Sequence, residues 1–263
     1  MMRRLKRLKD LEVALVIKND DFIKPPRPAQ RNWLLNRALD EFVDDLGHLD
    51  ELSRRFVAGA EQVALGDRTQ AVLDDHEIME DWQIPVVEEM ARVAAESKGD
   101  VLEVGFGRGI SSTRIQEEGV RSHTIVECND GVVDRFHRWR EAYPDADIRL
   151  IHGKWQDVTD QMGLYDGILF HTYPLDEDEY VNHVAQSVTF AAHFFPTAAA
   201  HLRDGGAFTY LTNEIDSLGR GHQRLVFEYF RSFTLHLAGP LALPADSQDS
   251  LWGDSIVVIK AVK

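Results

Sequence analysis

The sequence predicts an α/β protein with a seven-stranded, mostly parallel sheet and an N-terminal helical extension, and three observations carry the prediction. Beyond Gly99, short apolar runs alternate with amphipathic stretches, as βαβ units require. The first run leads directly into a glycine-rich turn, Val101-Leu102-Glu103-Val104-Gly105-Phe106-Gly107-Arg108-Gly109. Such glycines let the backbone bend sharply against a ligand without Cβ interference. The second run, His123-Thr124-Ile125-Val126, ends in Glu127, where a carboxylate can accept hydrogen bonds from both hydroxyls of a ribose.

Taken in order, the chain opens on a basic segment, Met1 to Lys9, with Arg3, Arg4, Lys6, Arg7 and Lys9. It reads as a solvated terminus. Pro25-Pro26-Arg27-Pro28 denies helix and ladder hydrogen bonds and reads as a linker or extended arm. From Asn32 to about Gly66, apolar residues including Leu35, Leu39, Phe42, Leu46, Leu52 and Phe56 recur at helical spacing. Two amphipathic helices fit there, as a cap over a ligand or as a dimer contact. Residues 1–75 are therefore assigned to an arm and helical cap, and residues 76–263 to the main domain.

Strands are predicted at Val101 to Phe106, His123 to Cys128, Asp147 to His152, Asp166 to His171, Gly206 to Thr212, Phe233 to Ala238 and Ser255 to Val262. Helices fit between them at Ser111 to Glu118, Gly131 to Glu141, Tyr180 to Arg203 and His222 to Phe230. The acidic run Asp176 to Glu179 would start the third of these helices, where acids favour the positive end of the dipole. No helix fits between the last two strands, because Gly239 to Gly253 is rich in Gly, Pro, Asp and Ser. This predicts an antiparallel closing strand.

Composition narrows the function. The 44% hydrophobic and 28% charged fractions over 263 residues are those of a globular protein, and no apolar stretch is long enough to span a bilayer. The run Val13 to Ile17 is too short for a signal-peptide core, so a cytoplasmic protein is expected. A net charge of −15, from 29 basic against 44 acidic residues, opposes nucleic acid or an anionic membrane as the main partner. Cys128, the single cysteine, cannot form an internal disulfide, which agrees with a reducing compartment. The histidines form no metal-like spacing with Cys or acids, and neither a Ser-His-Asp signature nor a Walker loop is present. No metal is expected. His183 and His193, within the helix expected after Pro174, read as surface residues.

Two cofactor classes use a glycine turn followed by a strand-terminal acid. Dinucleotide sites carry G-x-G-x-x-G, with a third glycine packing helix on strand. Here the spacing is G-x-G-x-G, preceded by Glu103 inside the strand. That arrangement resembles the E-x-G-x-G turn of S-adenosyl-L-methionine (SAM) methyltransferases, in which the carboxylate holds the turn and can face the cationic methionine end.

Longer blocks make the resemblance specific: Ile78-Met79-Glu80-Asp81-Trp82-Gln83-Ile84-Pro85, Val126-Glu127-Cys128-Asn129-Asp130-Gly131-Val132, Gly153-Lys154-Trp155-Gln156-Asp157-Val158 and Tyr165 to Leu175. From about Gly66 onward the chain is similar to guanidinoacetate N-methyltransferase and its relatives, including an arginine N-methyltransferase branch. These are class I SAM-dependent methyltransferases with a Rossmann-like sheet. The resemblance implies that Gly105, Phe106, Gly107, Arg108, Gly109, Ile110 and Ser111 wrap the methionine and ribose of SAM. It also implies that Glu127 binds the ribose diol with Cys128 and Asn129 beside it, that Trp155 and Gln156 border the adenine, and that Met79, Val87 and His171 complete the cofactor wall.

The departures bear on the substrate. In guanidinoacetate methyltransferase two carboxylates grip the guanidinium, one just after the cap tryptophan and one two residues before the Tyr-Pro that follows the fourth strand. Here those positions hold Gln83 and His171. Each lost charge-assisted contact is worth about 1.5 to 3 kcal/mol, so guanidinoacetate is not the expected substrate. Instead, His171 would accept a proton from the acceptor or donate to it, while Gln83 would suit an amide, lactam or heteroaromatic edge. Tyr173 would wall the pocket or aim its hydroxyl at the acceptor. Methyl transfer to a nitrogen of a small neutral molecule in specialised metabolism is the expectation, with Met79 also touching substrate.

Asn213 and Glu214 fall at further substrate positions of the family, and Glu214 would restore charge for an arginine-like or amine acceptor. A non-catalytic SAM-binding partner subunit and an NAD-type oxidoreductase are the remaining alternatives. A homodimer through the N-terminal extension is the expected assembly.

Overall fold

The computed structural model describes residues 68, 69, 71–176, 179, 182, 183, 187, 189–212, 217–242 and 255–263. The arm, the two expected amphipathic helices, Asn213 and Glu214 lie outside the described residues. The chain divides into two units, residues 1–64 and 65–263, and all of the described residues belong to the second.

Seven strands form one sheet: β1 Asp100–Val104, β2 Ser122–Glu127, β3 Ile148–His152, β4 Tyr165–Phe170, β5 Leu202–Tyr210, β6 Ser232–Ala238 and β7 Ile256–Val262. Their order is β3-β2-β1-β4-β5-β7-β6. The first five pair in parallel, and β7 is inserted antiparallel between β5 and β6. Strand order reverses on either side of β1, which opens a crevice at the carboxyl ends of β1, β2 and β4.

The apolar runs are continuous because both sheet faces are covered. On one face Leu102, Ile168 and Phe170 join Phe194, Phe195, Phe208 and Tyr210. On the other, Val101 and Leu169 meet Val86, Met90 and Ala91. Each fully buried Leu, Ile or Phe contributes about 1.5 to 3 kcal/mol, so these layers dominate stability. The described helices are α1 Asp75–Ile78, α2 Ile84–Ala95, α3 Ile110–Glu118, α4 Asp130–Arg140, α5 Phe195–His201 and α6 Arg220–Tyr229. A reciprocal Asp74–Glu77 capping box starts α1, and the Asn129 side chain accepts from Val132 N at 3.0 Å to start α4. Helix α2 presses its backbone on the sheet at Gly167, where a Cβ would lie 1.8 Å from the Ala94 carbonyl oxygen.

The helix expected over Tyr180 to Arg203 is not one helix. Thr189 is extended, Phe190–Phe194 is a 3₁₀ turn, and α5 begins afresh at Phe195. Pro196 explains the break: without an N–H it suits a first helical turn and not an interior. Strand β5 begins at Leu202, earlier than the expected Gly206, and its pairing with β4 is irregular between Tyr165 and Gly167. Gly205, at φ +81, lets the strand carry that irregularity.

At the sheet end remote from the crevice, Arg121 grips Asp100 through two 2.7 Å hydrogen bonds. Arg203 bridges Asp100 and Asp166 at 2.8 Å each. The Arg121 guanidinium holds the Asp100 carboxyl well below the usual carboxylate range. A depressed carboxylate stabilises the fold above its unfolded value of about 4, and that contribution is lost as pH falls through the folded value. Asp100→Asn is expected to cost about 1 to 2 kcal/mol at pH 7 after discounting for partial exposure. In urea titrations the gap from wild type should narrow below pH 4.

Candidate cofactor and acceptor site

Where β1 ends, Gly105 turns at φ +93, its N–H donating to Val126 O at 2.9 Å. A Cβ there would lie 2.2 Å from the His171 carbonyl oxygen, while His171 N donates to Val104 O at 3.0 Å. The turn is thus wedged between the exits of β2 and β4, which only glycine permits. Gly107 and Gly109 are also left-handed, at φ +53 and +76, and Gly109 begins α3. Three adjoining cavities meet at this turn and share Gly105 and Tyr173 in their walls.

One cavity is lined by Met79, Val87, Phe106, Gly107, Arg108, Ile110, Ser111 and His171. A second has Glu127, Cys128, Asn129 and His171 in its wall, and a third has Glu127, Cys128, Trp155 and Gln156. Most of the residues singled out in the sequence therefore share one crevice. Glu103 does not line these cavities: it is wholly buried beneath the turn. Both Ser111 and Ser112 hydroxyls donate to its carboxylate, and His123 Nε2 lies 3.0 Å from it. Ser111, not Glu103, is on the wall. Gly109 is likewise absent from the three walls; a Cβ there would meet the Phe106 ring at 2.9 Å.

Arg108 lines the cavity but spends its guanidinium on the segment above, donating to Met79 O at 3.0 Å and Asp81 Oδ1 at 2.7 Å. It straps Met79 over the glycine turn. Glu127 accepts from Phe106 N at 2.9 Å, Cys128 N at 2.7 Å and Asn129 N at 2.9 Å. Of its two oxygens, the one bonded to Phe106 keeps a lone pair for a further donor. Trp155 offers its indole to the third cavity while packing on Phe194, with ring centroids 5.0 Å apart. Gln156 donates to Glu179 Oε1 at 2.7 Å, and Asp176 Oδ1 accepts from Glu179 N at 2.8 Å. Asp176 and Glu179 thus serve both the chain turn and the wall.

Gln83 ends the 3₁₀ turn Asp81–Gln83 and is 5% exposed. Its Nε2 donates to Tyr173 Oη at 3.2 Å, so Gln83 reaches the crevice only through Tyr173 and, contrary to the sequence expectation, is in none of the three cavity walls. Gln83 Oε1 and His171 Nε2 are buried and have no hydrogen-bond partner among the described residues. Burial pushes the His171 imidazole down to about 4, against a smaller opposing effect of the Glu103 charge, so the ring is neutral at pH 7. Burial, reinforced by Glu127, pushes the Cys128 thiol up to about 12. Cys128 should therefore resist iodoacetamide at pH 8 in the folded protein and react once urea unfolds it, as read by intact-mass spectrometry.

Ile78, Thr172 and Lys154 also line the cavities; they fall inside the blocks that carry the family resemblance, but the sequence assigns them no site role. Each is adjacent to a residue that the sequence does single out. His193, expected at the surface, is instead packed against Trp155 and Phe170 and stacked on His183 at 4.2 Å. No group of three or more potential metal ligands occurs among the described residues, and no described helix is long and apolar enough to cross a membrane.

A family model described as guanidinoacetate N-methyltransferase matches residues 57–221, more than half of the chain. The chain belongs to the guanidinoacetate N-methyltransferase family. It carries a class I SAM-dependent methyltransferase domain, and the family's cofactor is SAM. Among curated proteins it is 30% identical over 107 residues to protein arginine N-methyltransferase 2 of Candida glabrata, covering 36% of this chain and 25% of that protein. It is 32% identical over 111 residues to the protein of the same name from Eremothecium gossypii, again covering 36% and 25%. The chain spans about a quarter of the length of these relatives. A putative SAM-dependent methyltransferase from Streptococcus mutans shares its fold at a TM-score of 0.50 and 16% identity, over 68% of this chain and 48% of that one.

The residues present fit SAM. The Gly105 turn excludes any Cβ, Glu127 retains an acceptor for a hydroxyl, and Trp155 presents a flat apolar face. Family membership sets aside the dinucleotide reading.

Proposed function

We propose that this domain transfers a methyl group to a nitrogen of a small neutral molecule, an N-heterocycle or amide-like compound of specialised metabolism, and not to guanidinoacetate. The observation that carries the reading is a buried polar atom without a hydrogen-bond partner among the described residues, Nε2 of His171, which lines the crevice; Gln83 Oε1, on the side chain bonded to Tyr173, is a second such atom. Buried polar groups in folded proteins are almost always satisfied, so an orphan on a residue that lines the cofactor crevice points to a ligand. Both belong to neutral side chains at the positions where the family's resemblance places carboxylates. A guanidinium set against them would lose its charge partners in a desolvated site.

SAM, when bound, supplies an electrophilic methyl whose S–C bond breaks as the N–C bond forms, leaving a neutral thioether. The chain's own residues orient the acceptor and manage its proton. In the Nδ1–H tautomer, His171 Nε2 offers a lone pair to the acceptor N–H; it takes that proton and passes it to solvent. Gln83 and Tyr173 fix the acceptor edge, and Met79 with Phe106 excludes water. A cytoplasmic homodimer, joined through the N-terminal extension, is the assembly we propose.

A second reading, arginine or amine N-methylation using Glu214, is supported by the name of the curated relatives. S-adenosylhomocysteine release, measured by mass spectrometry over guanidinoacetate, arginine, simple amines and neutral N-heteroaromatics, separates the readings. Turnover of neutral heteroaromatics alone is expected. Turnover of guanidinoacetate or arginine would overturn the proposal in favour of Glu214. SAM binding without any turnover would indicate a non-catalytic partner subunit.

A further inference from the structure

We infer that Arg108 and Ser111 form a clamp for the amino-acid end of SAM, with Arg108 taking the α-carboxylate and Ser111 the α-ammonium. The inference concerns the cofactor and holds whichever acceptor is methylated. Both residues line the cavity that has Met79, Val87, Phe106 and His171 in its wall. Among the described residues of that wall Arg108 is the one charged side chain, since burial holds the His171 ring neutral at pH 7. Its strap to Met79 O and Asp81 Oδ1 uses Nη1 alone. Nε lies 3.9 Å from Asp75 Oδ2, beyond hydrogen-bond reach, so Nε and Nη2 keep their donors free among the described residues. Those two nitrogens make the fork that grips a carboxylate through parallel hydrogen bonds. Neither acid saturates the charge. The Asp81 and Asp75 side chains are 84% and 59% exposed against 18% for Arg108, and Asp75 already holds Arg135 at 2.6 Å.

Ser111 is made an acceptor by what lies beneath it. The residue is 4% exposed and its hydroxyl donates to the wholly buried Glu103 carboxylate, so only lone pairs remain for the cavity. Lone pairs on a buried hydroxyl suit a donor, and the Glu103 charge behind that hydroxyl favours a cationic one. One cavity wall thus carries a cation and, at the start of α3, an acceptor backed by an anion. A zwitterionic amino-acid head is the complement. A cofactor with the amine alone would leave the Arg108 fork without its anion, and one with the carboxylate alone would leave Ser111 unpaired. Unpaired polar groups in a desolvated site are what hydrogen-bond recognition rejects most strongly. A carboxylate on Arg108 would also share the guanidinium with the Met79 carbonyl, fastening the cofactor and the segment above it to one group.

Titration calorimetry on the full-length chain tests the clamp with S-adenosylhomocysteine and two further thioethers of adenosine. One carries an aminopropyl chain and lacks the carboxylate; the other carries a carboxypropyl chain and lacks the amine. Wild type should bind S-adenosylhomocysteine about tenfold or more tightly than either analogue, the size expected of a charge-assisted hydrogen bond. Arg108→Met should weaken S-adenosylhomocysteine and the carboxypropyl thioether by about tenfold or more, and the aminopropyl thioether by less than about threefold. Ser111→Ala should show the converse, with losses of about fivefold or more confined to the two ligands that carry the amine. If the alanine variant does not fold, Ser111→Cys keeps the size of the side chain with a much weaker acceptor and gives the same reading. Equal weakening of all three ligands by Arg108→Met would mean that Arg108 acts only through its strap on Met79, and would overturn the inference. Wild-type affinity for the aminopropyl thioether equal to that for S-adenosylhomocysteine would overturn it as well, as would a Ser111 variant that leaves both amine ligands unchanged. None of these results bears on the acceptor, so the proposed function stands or falls separately.

Discussion

Gly105→Ala should abolish measurable SAM binding and lower stability by at least about 2 kcal/mol. The residue sits at φ +93, where an L side chain is strained by roughly 1 to 3 kcal/mol. Its new Cβ would also lie 2.2 Å from the His171 carbonyl oxygen and 3.1 Å from the carbonyl carbon. Both obstacles are backbone, and His171 N is itself tied to Val104 O, so relaxation must move the exit of β4 relative to β1. The Gly105 turn and the His171 imidazole would shift together. Calorimetry with SAM and a urea titration of the variant check both effects; an alanine variant that binds SAM within threefold of wild type would show that the turn is not the cofactor cradle.

His171→Phe is expected to lower turnover of a neutral acceptor by about 10²- to 10⁴-fold, the range typical of losing a general base. SAM affinity should change far less, because the His171 backbone carbonyl that abuts Gly105 is unaltered. The pH dependence carries a second signature. With the imidazole pushed down to about 4 by burial, wild-type activity limited by His171 should hold from pH 8 to about 5 and fall only as pH approaches 4. For stability the sign is the same. A histidine whose folded value is depressed stabilises fully above its unfolded value of about 6.5, and this contribution is lost as pH falls toward 4. The phenylalanine variant should lack that component of the wild-type pH–stability curve. An acid limb near 6.5 in both proteins would assign the titration elsewhere.

Much of the fold is legible in the sequence because its signals are local. Apolar runs covered on both faces mark β1 and β4, and the glycines of the first turn sit where positive φ is needed. The antiparallel last strand follows from a segment without helix character. The broken helix before β5 is not legible in the same way, although Pro196 is visible, because the alanine-rich stretch around it reads as helix. Contact between distant residues is beyond a local signal. Gln83 and Tyr173 are 90 positions apart, and their bond depends on how the Asp81–Gln83 turn meets the β4 exit. Glu103 is expected from the sequence beside the cofactor; its burial with His123 depends on the β1–β2 register, which pairs Val101 with His123 and brings His123 diagonally to Glu103. The charge state of His171 likewise follows only from its burial.

The family's charged acceptor clamp is, on this reading, replaced here by a neutral one. A ¹H–¹⁵N NMR titration of the histidine rings, with His171 assigned by comparison with His171→Phe, tests that claim most directly. His171 is expected to titrate near 4 and to be neutral at pH 7. Titration at or above the ordinary value of about 6.5 would contradict it, since the pocket would then hold a solvated or carboxylate-paired imidazolium and not a neutral clamp.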